Sequence, residues 1–493
     1  MRSMLITSWM ALLMIIFCLT TDGTSWHAVA QKNSKLLAGA YAIDITPKKF
    51  PVSVNGGMQD RQISEVYDPL HARCLVLDDG KTQVVFVIVD ACMVPRDLCD
   101  RAKEIIQKRI GIAPRNVLIA ATHTHSAVTL TGVFQSEPVE WYREFLVERI
   151  ARGVEQAYQQ REPARVAWGV GRDPSQVFNR RWYMKPGTIQ PNPFGQIDQV
   201  RMNPGYQHPG LLKPAGPTDP EIGFLSIQAL DGRPIAFLAN YALHYVGGVP
   251  GLSADYFGAF AERIKQLLNA EQVKPPFVGI MSNGTSGDIN NINFAGPAPG
   301  KKEPYEQCRI VADSVARNVF AAYQRIANQH RDNVPLAAAE REIELGVRLP
   351  SEADIARAKE ILAQAKGPVL KTLPEIYARE TLLLAKYPPK VRVKLQAIRV
   401  GELGIGAIPC EVFCEIGLEI KAKSPLKPTF IIELANGYNG YLPTPRQHEL
   451  GGYETWRARS SYLEVHASEK ITAAILDLLQ EVAHSAAGPG SRP

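Results

Sequence analysis

The sequence predicts an α/β fold in which mixed β-sheets are flanked by helices within a single large catalytic domain. Apolar runs of strand length, such as residues 84–89, alternate with longer segments such as residues 140–159, whose apolar side chains recur at helical spacing. The first elements follow in the order strand, strand, helix, strand, which is typical of a sheet covered by helices. The 493 residues contain neither an internal repeat nor an interdomain linker, so we expect one unit.

The strands are predicted from apolar runs that end at turn-forming residues. Turns of sequence Asp-Asp-Gly at 78–80 and Asp-Gly at 231–232 separate pairs of such runs and are signals for hairpins. A run that is apolar throughout, such as residues 84–89, is expected to be covered on both faces. The predicted strands are residues 36–46, 71–77, 83–90, 116–120, 166–170, 224–230, 234–241, 276–281, 391–400, 403–408 and 430–434.

The helices are predicted from apolar residues spaced three or four apart. Ser351 and Asp354 form a capping box before one helix, and Asp255 is expected to cap the start of another. The segment after residue 366 is expected to complete a helical hairpin on the surface, and the Pro- and Gly-rich residues 185–220 to form a long loop or lid. The predicted helices are residues 97–109, 140–159, 255–268, 306–326, 351–366 and 462–482.

The amino terminus has the pattern of a secretory signal peptide. Arg2 precedes a largely apolar run over residues 4–19, and a small-x-small cleavage site follows at residues 28–30. We therefore predict a signal peptide over residues 1–30 and a secreted or periplasmic protein, which would be membrane-anchored if the segment stays uncut. Cys18 follows the bulky Phe17, which argues against lipid attachment at that cysteine.

Composition excludes some functions and narrows the chemistry of any metal site. The net charge of +6 is small for this length and the basic residues are scattered, so nucleic-acid binding is not expected. Six of the seven cysteines remain after the signal peptide, with neither a CxxC pair nor zinc-type spacing. Cys410 and Cys414 are close enough in sequence for a local disulfide, although nothing demands one. A metal would have to be held by histidine, carboxylate or phenol.

The chemistry is expected to centre on a His-Thr-His run that follows the strand 116–120. In an extended backbone alternate side chains point the same way, so His123 and His125 would share one pocket. Neutral imidazole is the commonest metal-binding side chain and suits zinc. The alternative is a pair of hydrogen-bonded histidines without a ligand.

Other polar residues follow predicted strands in the same way. His244 follows the strand 234–241, Glu411 follows 403–408, and a glycine-rich polar turn at 282–291 follows 276–281. Such turns often face a ligand, although many are only connections, and this one lacks the spacing of a nucleotide-binding loop. Arg180 lies in a Phe-Asn-Arg-Arg loop that is equally consistent with a solvated surface patch. Three acidic residues near strand ends or loops are assigned to structural capping instead: Asp44, Asp90 and Asp255.

In this order, the segments at 121–126, 240–244, 287–289, 409–411 and 436–441 resemble those of the neutral/alkaline, non-lysosomal ceramidases. The resemblance covers roughly residues 36–479 and implies that residues 36–485 form that family's catalytic domain. Because the chain stops soon after its last predicted helix, we expect the family's carboxyl-terminal immunoglobulin-like domain to be missing. The resemblance also implies a zinc ion bound by four residues: His123, His244, Glu411 and Tyr441.

The resemblance further implies a catalytic role for four residues and an amide substrate. His125 is similar to the family's second active-site histidine, Arg180 to its substrate-side arginine, and Tyr453 to its second catalytic tyrosine. Asn290 stands where the family has a serine, which leaves a zinc-activated water as the attacking group rather than a serine. The implied activity is cleavage of the N-acyl bond of ceramide or a related N-acyl lipid, with possible peripheral contact to a membrane.

Two other functions remain open at the level of sequence. Gly287-Asp288 with the asparagines nearby is consistent with a metallophosphoesterase, although the chain has no Gly-Asn-His partner for it. Asn290 is consistent with a homologue that has lost its chemistry and only binds a lipid or carbohydrate. Turnover of an amide substrate would separate the main hypothesis from both.

Overall fold

The computed structural model of the protein describes residues 36–485. The proposed signal peptide at residues 1–30 lies outside this range and stays a prediction. Among residues 36–485, none of the helices combines the length and the apolarity that crossing a bilayer requires.

Helices and strands alternate along the chain largely as the sequence predicts. The strands are β1 (Leu37–Asp44), β2 (Val52–Val54), β3 (Arg61–Ile63), β4 (His71–Asp78), β5 (Gln83–Val89), β6 (Val117–Ala121), β7 (Glu162–Arg172), β8 (Phe178–Asn179), β9 (Arg181–Met184), β10 (Val200–Met202), β11 (Leu211–Pro214), β12 (Glu221–Ala229), β13 (Pro234–Tyr241), β14 (Val278–Asn283), β15 (Ile289–Asn290), β16 (Leu336–Gly346), β17 (Lys390–Val400), β18 (Leu403–Ile408), β19 (Glu411–Val412), β20 (Thr429–Glu433) and β21 (Tyr441–Leu442). The helices are α1 (Arg96–Ile110), α2 (Glu140–Gln159), α3 (Asp255–Leu267), α4 (Glu306–Gln324), α5 (Glu352–Ala363), α6 (Leu373–Leu384), α7 (Cys414–Lys423), α8 (Pro445–Leu450) and α9 (Ala467–His484).

Two mixed sheets form the centre of the domain. The larger has eight strands in the order β14-β13-β12-β7-β1-β4-β5-β6, and the smaller has four in the order β16-β17-β18-β20. Both contain antiparallel and parallel neighbours, as β4/β5 and β5/β6 illustrate. The prediction of mixed sheets flanked by helices is therefore confirmed.

The two sheets pack face to face, and helices cover their outer faces. One apolar cluster joins Phe86, Leu118 and Leu238 of the larger sheet to Ile405 and Ile432 of the smaller sheet. Separate clusters pack α1 with α2 and α3 with α4 against the outside of the larger sheet, and α9 against the outside of the smaller one. The apolar residues of the buried strands thus face two layers at once, which explains their continuous apolar runs.

The sheets are joined at one edge, where the polar strand ends meet. A β-bridge links Ala120 of β6 to Ala435, which follows β20, and the Ala121 amide donates to the Leu434 carbonyl at 3.2 Å. This junction brings the carboxyl end of β6 beside that of β20. Polar residues that follow strands of different sheets are therefore brought to the same place.

The segment 185–220 is only partly the loop that its composition predicts. β10 and β11 within it pair with the two sides of β9, giving a small three-stranded sheet. The two strands contain three and four residues, so they fit between the prolines and glycines. The composition of the segment therefore does not indicate them.

Several local predictions are confirmed or corrected by side-chain contacts. The capping box of Ser351 and Asp354 is present at the start of α5. Cys410 and Cys414 are both buried free thiols, so the possible local disulfide is not formed. Asp255 is the first residue of α3, and its carboxylate accepts from the free Tyr256 amide at 2.6 Å, which confirms the predicted capping contact. It also accepts from the Val246 and Gly247 amides at 2.9 and 2.8 Å.

Candidate metal centre and active site

Three of the four predicted zinc ligands converge at the junction of the sheets. The Nε2 atoms of His123 and His244 lie 3.0 Å apart. Glu411 Oε2 lies 3.4 Å from His123 Nε2 and 3.8 Å from His244 Nε2. All three side chains are buried. Residues separated by up to 288 positions thus form one compact group able to hold a metal ion.

The backbone at His123 differs from the extended conformation that the sequence predicts. β6 ends at Ala121, and His123 adopts a left-handed conformation with φ 73° rather than an extended one. The ring of His125 is nevertheless brought to within 3.1 Å of His123, measured between their Nε2 atoms. The two histidines converge because the backbone turns at His123, which is a strained conformation for a residue with a side chain.

Hydrogen bonds orient the two histidine rings. His123 Nδ1 donates to the carbonyl oxygen of Cys92 at 2.7 Å, and His244 Nδ1 donates to that of Ser286 at 3.1 Å. When both rings are neutral and Nδ1 donates outward, the Nε2 atoms carry the lone pairs that face the centre. Such outer hydrogen bonds are the usual means of fixing the tautomer of a metal-binding histidine.

The two carboxylate oxygens of Glu411 have different surroundings. Oε1 accepts a hydrogen bond from the Tyr438 hydroxyl at 3.0 Å. Oε2, which faces the two histidines, is buried and has no hydrogen-bond partner among the described residues. A buried carboxylate oxygen without a partner is costly, and a bound cation would remove that cost.

Tyr441 lies beside Glu411 because the short strands β19 and β21 run parallel with these two residues in register. Gly287 packs against the other side of Glu411, where a Cβ atom would lie 2.6 Å from the Glu411 carbonyl oxygen. The backbone around Glu411 is therefore confined by neighbours on both sides.

These residues fit a zinc ion. Tetrahedral zinc with nitrogen ligands at about 2.0–2.1 Å holds its ligand atoms roughly 3.3 Å apart. The separations of 3.0, 3.4 and 3.8 Å among His123, His244 and Glu411 bracket that value. Two imidazoles and a carboxylate are also a donor set that zinc accepts in catalytic sites.

A comparison with known protein families agrees with this geometry. The family model described as neutral/alkaline non-lysosomal ceramidase, N-terminal, matches residues 36–325, more than half of the chain. The chain belongs to the neutral/alkaline non-lysosomal ceramidase family. The resemblance drawn from short motifs is thereby confirmed, and the buried His-His-Glu group lies in a ceramidase-like domain.

Two solved structures share the ceramidase fold of this chain. The neutral ceramidase from Pseudomonas aeruginosa matches with a TM-score of 0.66 and 18% identity over 91% of this chain and 74% of its own. A ceramidase complexed with C2 matches with a TM-score of 0.66 and 16% identity over 91% of this chain and 75% of its own. At these identities the likeness establishes the fold alone.

Arg180 is buried in the site and is not part of a surface patch. It donates from Nη2 to the Tyr441 hydroxyl at 3.1 Å and to the Gly287 carbonyl at 2.8 Å. Its Nε donates to Glu454 Oε1 at 2.9 Å, and Arg181 donates to the other oxygen of Glu454 at 2.6 Å. A carboxylate shared by two arginines thus holds Arg180 against Tyr441.

His125 lies between the metal group and a second aromatic side chain. Its ring stacks on Tyr245 with centroids 3.7 Å apart. Gly56 approaches the opposite edge so closely that a Cβ there would lie 2.4 Å from the His125 Cγ. The ring is therefore held in place by contact on both sides.

Tyr453 lines a small cavity of about 30 Å³ beside the candidate metal site. Its ring lies 5.7 Å from that of Tyr441, measured between centroids, in an edge-to-face arrangement. His123, His125 and Glu411 line the same cavity. A volume of this size admits a water molecule or two beside the ligands.

The hydrogen bonds of Asn290 join it to residues that do not line the small cavity. Its Nδ2 donates to Asn203 Oδ1 at 2.9 Å, and its Oδ1 accepts from the Ile292 amide at 3.0 Å. Asn203 belongs to the segment 185–220, and its own amide donates to the Arg180 carbonyl at 2.9 Å. Asn290 thereby connects that segment to the strand pair β8/β15. A catalytic role for its amide stays a prediction.

Burial and charge set the protonation of the site. Burial lowers the pKa of His125 and His244 well below the usual value, and the cation of Arg180 acts in the same direction on both. Burial opposes the charge on Glu411, but the neighbouring His123 and Arg180 hold the pKa of its carboxyl below the usual range. Neutral His244 and an ionised Glu411 are the forms that bind a divalent metal. Burial lowers the pKa of His123, but Cys92 and Glu411 raise it well above the usual value, so His123 has to lose a proton to bind one.

Sequence reasoning missed four residues that support the site. Tyr438 belongs to the segment 436–441, in which the resemblance indicates a role for Tyr441 alone. Tyr245 directly follows His244, so its position could have suggested it. Glu433, which accepts from the Ser286 hydroxyl at 2.7 Å, and Glu454 carry no local signal. The set-aside Asp90 pairs with Arg73 at 2.7 Å, away from the site.

Proposed function

We propose that the protein is a zinc-dependent amide hydrolase that cleaves the N-acyl bond of ceramide or a related N-acyl lipid. The observation that carries this proposal is the buried, unpartnered Glu411 Oε2 facing the Nε2 atoms of His123 and His244. Membership of the ceramidase family supports an amide as the substrate. Tyr441 lines the small cavity beside these residues and is the fourth proposed ligand.

The metal and the protein have separate parts in the proposed reaction. Zinc, when bound by His123, His244, Glu411 and Tyr441, lowers the pKa of a bound water to about 7 and so supplies a nucleophile. In this proposal Arg180 and Tyr453 donate hydrogen bonds to the oxygen of the amide carbonyl as negative charge develops on it. Burial raises the pKa of Tyr453, so its hydroxyl keeps the proton that it donates.

His125 is proposed to deliver a proton to the departing amine. Burial and neighbouring cations lower its pKa well below the usual value, so the ring is neutral at rest and holds a proton only briefly. A neutral imidazole next to the attacking water can take a proton from it and pass it to the amine nitrogen. The stack with Tyr245 keeps the ring in one orientation for both transfers.

A serine nucleophile is not part of this proposal. Asn290 occupies the position of the family's serine, and an amide side chain does not form an acyl intermediate. The water route needs no side-chain nucleophile and is compatible with asparagine at this position.

Metal analysis and hydrolysis of a fluorescent short-chain ceramide test the proposal. We expect one zinc per chain, with metal and activity both lost in His123→Ala and Glu411→Ala. His466→Ala is the matched control, because this histidine is on the surface and pairs with Glu469. Full activity after complete metal removal would reject the zinc mechanism. Stoichiometric zinc with binding but no turnover of any amide would favour a catalytically silent homologue.

We further propose that the protein acts outside the cytoplasm and meets its lipid substrate at a membrane surface. The pattern of residues 1–30 supports export through a cleaved signal peptide. Amino-terminal sequencing of the protein recovered from the periplasm or the medium tests this, with a start at Gln31 expected. Recovery in the cytoplasm with residues 1–30 intact would contradict it.

A further inference from the structure

A second, larger cavity adjoins the inner one at His125. Its volume is about 300 Å³, and Gly56 and His125 line both cavities. The inner cavity of about 30 Å³ holds little more than the reacting atoms. The outer cavity therefore offers the space for a group attached to the amide, and we call it the head-group pocket.

Glycine turns form part of the wall of the head-group pocket. Gly56 has φ 103°, and Gly247 and Gly248 have φ 77° and 73°, so all three adopt the left-handed region that favours glycine. The Asp255 carboxylate accepts from the Gly247 amide at 2.8 Å and stabilises this turn. The missing side chains of these glycines leave space next to the rings of His125 and Tyr245.

The charge in this pocket has one sign. Among the residues of the 36–485 range that line it, Arg61 is the one with a fixed charge and none is a carboxylate. Arg61 donates from Nη2 to the His125 carbonyl, which anchors the guanidinium and leaves its other N–H groups available. The adjacent Asp60 is occupied by hydrogen bonds from Ser53 and Gln62.

The positive charge lies at the inner end of the pocket, because Arg61 is hydrogen-bonded to the backbone of His125. A guanidinium attracts an anionic group placed in the space beside it. A neutral diol gains no such attraction.

From these features we propose that the head-group pocket binds a carboxylate on the amine side of the substrate. On this view the preferred substrates are N-acyl amino acids with small side chains rather than neutral ceramides. The inference rests on the proposed amide hydrolysis and narrows its substrate class. In the reaction, the water oxygen joins the acyl carbon, the C–N bond breaks, and a proton goes to the amine nitrogen, giving a fatty acid and a free amino acid.

A matched pair of substrates tests the proposal. N-lauroylglycine and N-lauroylethanolamine differ mainly in a carboxylate replacing a hydroxymethyl group, so we expect kcat/KM to be about 10-fold or more higher for the former. Arg61→Gln should bring the two values together, chiefly by raising KM for N-lauroylglycine. Arg317→Gln is the control, because this arginine is exposed and pairs with Asp313 on α4.

Salt provides a second measurement that does not depend on a variant. Raising the ionic strength should increase KM for N-lauroylglycine in the wild-type protein but not in Arg61→Gln, since salt screens the charge pair. An equal loss on both substrates in Arg61→Gln, with unchanged selectivity, would overturn the proposal and leave Arg61 as a support for His125.

The outcomes also separate this inference from the proposed function. If a short-chain ceramide and N-lauroylethanolamine are hydrolysed as well as N-lauroylglycine, the carboxylate preference is wrong and the amide hydrolase stands. If the zinc-loaded protein hydrolyses none of the three, both proposals fall.

Discussion

The hydroxyl of Tyr438 donates a hydrogen bond of 3.0 Å to Glu411 Oε1, so the two oxygens of this carboxylate have different roles. With Oε1 occupied, Oε2 is left facing His123 and His244 without a partner. Burial raises the pKa of Tyr438 well above its usual value, and the negative charge of Glu411 raises it further. The phenol therefore stays protonated and remains a donor, which makes Tyr438 a positioning residue for the metal centre.

Replacing Tyr438 by phenylalanine tests this role. Phenylalanine keeps the ring but removes the donor, so Glu411 is freed to rotate and we expect metal affinity to fall about 10- to 100-fold. Competition with a chromophoric zinc chelator measures the change independently of activity.

Tyr142→Phe is the control for that variant. Tyr142 is a buried tyrosine whose hydroxyl also donates a hydrogen bond, to the Ile45 carbonyl at 2.7 Å, but it lies away from the site. Equal zinc affinity in Tyr438→Phe and the wild type would show that Glu411 is held by its backbone alone.

Gly287 is expected to be essential for the metal centre although it has no side chain. A methyl group at this position would lie 2.6 Å from the Glu411 carbonyl oxygen and 2.9 Å from its carbonyl carbon. Gly287→Ala should therefore displace Glu411, lower zinc occupancy and destabilise the fold by about 1–3 kcal/mol. Gly300→Ala is the control, since nothing lies within 4 Å of its added Cβ. Full zinc occupancy in Gly287→Ala would contradict the expectation.

Much of the fold could be predicted because its signals are local. The segment 140–159 carries helical spacing and forms α2 with the same bounds. The apolar run 84–89 lies within β5 and is buried throughout. The capping box at Ser351 is likewise a pattern within four residues, so it could be read directly from the chain.

The site could be predicted only in part, because its supporting contacts are long-range. Candidate ligands such as His123 could be predicted from strand ends, where polar residues interrupt apolar runs. Tyr438, Glu433 and Glu454 were missed, since each acts on a residue that lies far from it in sequence or in another element. The left-handed turn at His123 was also unforeseeable, because nothing in a His-Thr-His run indicates a positive φ.

Glu433 should make stability depend on pH. Burial raises its pKa to about 8, although hydrogen bonds from Ser286 and Val412 partly offset this. Between about pH 4.5 and 8 the folded protein therefore binds more protons at this site than the unfolded chain does. The free energy of unfolding should fall as the pH rises through this window, by at most about 1.4 kcal/mol per unit for one group.

Glu433→Gln removes that titration and keeps a similar shape. Urea unfolding of metal-free protein from pH 5 to pH 8.5 should show the wild type losing stability relative to the variant as the pH rises. Parallel profiles for the two proteins would mean that Glu433 keeps the same charge in the folded and unfolded states.

The segment 185–220 is expected to hold Tyr453 in the active site through Asp198. Asp198 Oδ2 accepts from the Trp456 indole at 2.7 Å, and Asp198 packs so closely on Gly451 that a Cβ there would lie 2.2 Å from Oδ1. Asp198→Ala should shift Trp456 fluorescence to longer wavelength, cost about 1–3 kcal/mol of stability and lower kcat about 10-fold, because an unpaired indole loosens the turn that carries Tyr453. Asp477→Ala, on the surface of α9, is the control. Unchanged emission together with unchanged kcat would mean that the turn keeps its shape without this contact.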